Sequence, residues 1–89
     1  MYCKKNVILT IDQRVADKIY YLRTEKGISS KKLSEEIGVS RQQLKKYETA
    51  INRVSASRLL LISKALSKNI SYFYQGIKFN WIDNNFYWL

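Results

Sequence analysis

Ile11, Val15, Ile19 and Leu22 recur three and four residues apart, the spacing that lines one face of an α-helix. Thr10, with Gln13 three residues on, has the form of a capping box, so the first helix is expected to open at Thr10. Tyr20 and Tyr21 flank its apolar stripe. Gly27 closes it, with Lys26 near its C-terminal dipole. Leu33 and Ile37 predict a second helix, capped by Ser29 and stopped by Gly38. Ser40 caps a third, and Gln43 gives it a second capping box; Leu44 and Tyr47 form its inward face. Leu59, Ile62 and Leu66 predict a fourth helix from about Ser55, with Leu60, Leu61 and Ala65 broadening its apolar face. A short fifth helix opens at Asn69, carries Ile70, Phe73 and Tyr74, and closes at Gly76.

The period then changes. Ile77, Phe79 and Trp81 alternate with Lys78 and Asn80, Asp83-Asn84-Asn85 reads as a turn, and Phe86, Tyr87, Trp88 and Leu89 follow. A small hairpin and an irregular tail packed on the helices both fit. The expected organisation is an arm over 1–9, a compact five-helix all-α domain over 10–76, and an aromatic C-terminal tail over 77–89. A length of 89 residues suits one domain, and 46% hydrophobic content suits a packed core. The absence of Pro, with only three Gly, favours helices over a turn-rich β-sandwich.

Charge adds a direction. Sixteen Lys and Arg against seven Asp and Glu give a net charge of +9. Folding does not require that excess, and it attracts polyanions, nucleic acid or an anionic membrane first. No apolar run approaches the ~20 residues of a membrane span, and Val7, Ile8 and Leu9 are too few for a secretory leader. Cys3 is the only cysteine and has no internal partner, so a reducing cytoplasm is expected. The chain has no His, no glycine-rich phosphate loop and no second thiol for zinc. That inventory argues against an enzyme and calls for no cofactor or metal.

Two short helices joined by Gly38-Val39-Ser40 have the shape of a helix-turn-helix. With Leu44 and Tyr47 inward, Arg41, Gln42, Lys45 and Lys46 face outward or sideways. Gln matches adenine N6 and N7, and Arg matches guanine O6 and N7. Gln42, in the first turn and free of a cap role, is the leading base reader. Arg41 comes next, for a base or a phosphate; Gln43 stands between cap and reader. Against this stands an ordinary solvated helix face. Lys31 and Lys32 fall in the first turn of the second helix, where the macrodipole disfavours cations. They make sense beside an anion, so Ser30 and Lys31 are candidate clamps on the DNA backbone; a basic patch kept for solubility is the plain alternative. Lys45 on the third helix and Arg53 in the loop after it are further phosphate candidates. Arg58 either joins them or pairs internally. Arg23 and Glu48, each at a helix end beside an apolar stripe, are placed to pair and to orient the third helix.

The run from Ile28 to Ser40, with Gln42-Gln43, Lys46-Tyr47-Glu48, Asn52-Arg53-Val54-Ser55-Ala56-Ser57-Arg58-Leu59 and Ile70-Ser71-Tyr72-Phe73-Tyr74, resembles the Cro/CI-type (XRE) family of bacterial and phage repressors. The likeness covers about residues 14–77, with several motifs in the right order. It implies a five-helix, lambda-repressor-like fold and DNA binding as a regulator. It also implies base contacts at Arg41, Gln42 and Lys46, phosphate contacts at Ser30 and near Arg53, and an ion pair between Arg23 and Glu48. Three positions depart from the family pattern: Ser30 replaces its usual Gln, Ser34 its Ala, and Ala50 its Gly. Ser34 then needs a hydrogen-bond partner, and a left-handed backbone at Ala50 carries a cost.

The expectation is a sequence-specific regulator that binds double-stranded DNA as a homodimer. Its candidate dimer surface is the tail from Trp81 to Leu89, with Tyr2 and Val7 to Leu9; the tail packing on its own domain is equally open. The rival is a protein-binding adaptor or antitoxin that holds a protein partner through the tail and binds DNA secondarily. Non-specific packaging of nucleic acid is a third reading.

Overall fold

The computed structural model describes the backbone of residues 3–76 and the side chains of residues 10–76. Four α-helices are found there: α1 (Cys3–Glu25), α2 (Ser30–Ile37), α3 (Arg41–Glu48) and α4 (Ala56–Ala65). A 3-10 helix, Ile70–Tyr74, follows them. No strand occurs among the described residues, so the architecture is all-α. The expected tail hairpin, and the dimer surface at Tyr2, Val7 to Leu9 and Trp81 to Leu89, lie outside the described side chains.

Two helix boundaries differ from expectation. The first is that α1 opens at Cys3, seven residues before the expected Thr10 cap. The stretch 3–9 contains neither Gly nor Pro, so nothing in it obliges the helix to stop. The Gln13 side chain does not reach back as in a capping box; it donates to Asp17 one turn on, at 2.9 Å. The second is that the fifth helix forms as a single 3-10 segment. Asn69 caps it by accepting from the Ser71 amide, and i→i+3 bonds from Tyr72 to Asn69 and from Gln75 to Tyr72 span it. Five residues suit the tighter helix, which is common in short pieces.

Val15, Ile19 and Leu22 of α1, Leu33 and Ile37 of α2, Leu44 and Tyr47 of α3, Leu59, Ile62 and Leu66 of the α4 segment, and Phe73 form one buried cluster. Ile11, Ile28, Val39, Val54, Ala65 and Tyr72 pack around it. α2 packs on both α3 and α4, while α1 packs on the 3-10 helix and α3. The face of α4 is narrower than expected. Leu60 and Leu61 are 46% and 43% exposed. Successive residues turn by about 100°, so Leu60 and Leu61 swing away from Leu59, and Ser63 takes the inward position one turn on. Its hydroxyl is satisfied by donating to the Leu60 carbonyl at 2.7 Å. Among the described residues, no helix is long and apolar enough to cross a membrane, and no cluster of metal-ligating side chains occurs.

Candidate nucleic-acid interface

The turn between α2 and α3 is built from short polar residues. Ser29 accepts from the Lys32 amide at 3.0 Å, capping α2. Gly38 ends α2 in the left-handed region, with φ 76°, which a Cβ would strain. The Val39 amide then returns to the Ser34 carbonyl at 2.9 Å, as in a Schellman closure. Ser40 opens α3 by accepting from the Gln43 amide at 3.0 Å. The return half of that capping box is not made: among the described residues the Gln43 side chain has no hydrogen bond. Ser34 is buried beneath the turn, and its hydroxyl donates to the Lys31 carbonyl at 2.8 Å.

Two arginines tie this unit to its neighbours. Arg23 of α1 grips Glu48 of α3 with both prongs, Nε to Oε2 at 2.7 Å and Nη2 to Oε1 at 3.2 Å. Its remaining nitrogen, Nη1, donates to the Ile28 carbonyl at 2.9 Å, just ahead of α2. One guanidinium therefore holds both helices of the motif. Arg58 of α4 donates to the Ile37 carbonyl at the end of α2, so it pairs internally. Beyond α3, Ala50 adopts φ 62°, and the Ile51 and Asn52 amides both turn back to the Lys46 carbonyl.

Leu44 and Tyr47 seat α3, which leaves Gln42 on the opposite side of the helix, flanked by Lys45 and Lys46. Ser30, Arg41, Gln42 and Lys45 share an open cleft of about 560 Å³ with Tyr20, Arg23, Glu48 and Thr49. Lys31, Lys46 and Arg53 are exposed but do not line it. Among the described residues the only ion pairs are Arg23–Glu48 and Arg53–Asp12. The cations at Lys31, Lys32, Arg41, Lys45 and Lys46 therefore have no carboxylate bound to them among the described residues. Lys45 and Lys46 suit the helix dipole in the last turn of α3, whereas Lys31 and Lys32 oppose it at the start of α2. Asp12 holds Arg53 at 2.9 Å while most of the Arg53 side chain stays in solvent. The reach of Asp12 across the fold and the place of Tyr20 and Thr49 in the cleft are findings of the structure. Tyr20 precedes Arg23 by three residues, one helical turn, and that spacing was the available signal.

A helix-turn-helix family model matches residues 19–73, from the middle of α1 to Phe73. The chain belongs to the helix-turn-helix family of the Cro/CI (XRE) type. It is 51% identical over 75 residues to an uncharacterized HTH-type transcriptional regulator of Rickettsia prowazekii (strain Madrid E), covering 84% of this chain and 58% of that protein. A counterpart in Rickettsia conorii (strain ATCC VR-613 / Malish 7) is also 51% identical over 75 residues, covering 84% and 60%. An uncharacterized transcriptional regulator in the ATPase CF(0) region of Rhodospirillum rubrum is 41% identical over 68 residues, covering 76% and 63%. This chain thus spans less than two-thirds of each of these helix-turn-helix relatives. The family match takes in Arg23, all of α2, α3 and α4, and the turn that joins α2 to α3.

Proposed function

We propose that the chain is a sequence-specific, DNA-binding transcriptional regulator that lays α3 in the major groove. The observation that carries this reading is the convergence of Ser30, Arg41, Gln42 and Lys45 on one open cleft beside unpaired cations. Gln42, Arg41 and Lys46 read base edges; Ser30, Lys31, Lys45 and Arg53 hold backbone phosphates and fix the register. Arg23 and Glu48 aim α3, and Ser40 closes its amino end. The protein acts in the cytoplasm, without a cofactor, as a homodimer on a two-fold site.

Selection of bound sites from a random duplex library tests this. A recovered motif with two related halves is the expected result; no enrichment over random duplex overturns it. On the selected site, Gln42→Ala should relax preference at one base position and cost roughly 1–3 kcal/mol there. Lys31→Ala should weaken every duplex alike and reduce the slope of log affinity against log salt by about 0.9. Equal effects of the two substitutions would contradict this division of roles.

A further inference from the structure

The cleft beside α3 contains two side chains that the DNA reading does not use: Thr49, whose hydroxyl donates to the Lys45 carbonyl at 2.7 Å, and Tyr20. Tyr20 of α1 lines it together with Ser30, Gln42 and Lys45. Tyr20 is 45% exposed, so its side chain is partly held and partly open. The ring is fixed twice. The Arg23 guanidinium lies 5.6 Å from the ring centroid, and the Tyr21 ring meets it edge-on at 5.5 Å. Arg23 is itself immobilised by Glu48 and the Ile28 carbonyl. The Tyr20 ring is therefore oriented by the same group that holds both helices of the motif. Among the described residues the Tyr20 hydroxyl has no hydrogen-bond partner. Ser30, the neighbouring candidate clamp, offers only a short hydroxymethyl group.

We infer that Tyr20 and Ser30 form a subsite for one backbone phosphate of the bound duplex, with the Tyr20 hydroxyl as donor. This inference rests on the DNA reading above and extends it to α1. A phenol donates without carrying charge, so it contributes a hydrogen bond to phosphate but displaces no counterion. A fixed aromatic ring also gives up little conformational freedom when the phosphate arrives.

The test uses the full chain, the selected site and a random duplex of equal length. Tyr20→Phe keeps the ring, and with it the packing on Arg23 and Tyr21. It should lower affinity for both duplexes by a similar factor, about tenfold for a hydrogen bond to a charged acceptor. The salt slope and the selected motif should stay unchanged. Tyr21→Phe, which keeps its ring against Tyr20 and lies outside the cleft lining, should bind as the unsubstituted chain does. Unaltered affinity in Tyr20→Phe overturns the subsite, as does a loss confined to the selected site or an equal loss in Tyr21→Phe. Failure of the unsubstituted chain to bind any duplex overturns the DNA reading itself, and the subsite with it.

Discussion

Ala50 sits with φ 62° immediately past α3, where a Cβ crowds its own backbone. The conformation has a use: it turns the chain so that Ile51 and Asn52 both donate to the Lys46 carbonyl, at 2.9 and 3.1 Å. The left-handed geometry costs a non-glycine residue about 1 kcal/mol. Glycine would remove that strain and return part of the gain as greater freedom of the unfolded chain. Ala50→Gly is therefore expected to stabilise the domain by about 0.5 kcal/mol, raising the thermal midpoint by roughly 2–4 °C. A midpoint that stays put or falls would mean that the backbone at this position is not strained. Ser34 is the opposite case, an unusual residue that the fold accommodates. Its hydroxyl is satisfied within α2 by the Lys31 carbonyl, and among the described residues no buried side-chain polar atom is left without a partner.

At the scale of helices, the motif depends on one guanidinium. Arg23 and Glu48 have side chains only 12% and 7% exposed, so removing one partner leaves the other poorly solvated. Glu48→Ala should cost about 3 kcal/mol in chemical denaturation. Replacing both partners, Arg23→Met with Glu48→Leu, should recover most of that stability. It should not recover DNA affinity, because the hold on the Ile28 carbonyl and the angle of α3 are lost together. Full affinity in the double variant would reduce the pair to a stability device. Much at this scale was legible in the sequence. Ser29, Ser40, Ser55 and Asn69 each cap a segment through a short side-chain oxygen, which is a local signal. The start of α1 was not legible, since Thr10 and Gln13 are equally at home inside a helix that continues. Nor was the exposure of Leu60 and Leu61. Their identity favours burial but carries no direction, and only packing decides that Ser63 takes the inward place. In the candidate site, α3 was readable from its spacing. The bond from Arg53 to Asp12 spans 41 residues and leaves no local trace.

At the scale of the molecule, the described residues offer a cationic cleft at α3 and exposed leucines on α4. Of the unpaired cations, Arg41 and Lys45 of α3 line the cleft, while α4 presents Leu60 and Leu61 to solvent. A regulator that reads a two-fold site needs both kinds of surface: one for DNA, and one that sets two copies about 34 Å apart, centre to centre, on the duplex. The exposed leucines of α4 and the aromatic residues 78–89 are two separable candidates for the second role. Two variants distinguish them by sedimentation mass and by affinity for the selected site. Deleting residues 78–89 should lower the mass in solution from dimer to monomer if the tail joins the copies. Leu60→Gln with Leu61→Gln should do so if α4 does, at a modest cost in stability because the two positions are 46% and 43% exposed. Either loss should weaken the selected two-fold site far more than an isolated half-site, since a linked pair gains effective concentration that a single domain lacks. A dimer mass retained in both variants would place the contact elsewhere on the chain. A monomer mass in the unsubstituted protein would end the dimer proposal and leave a single domain reading one half-site.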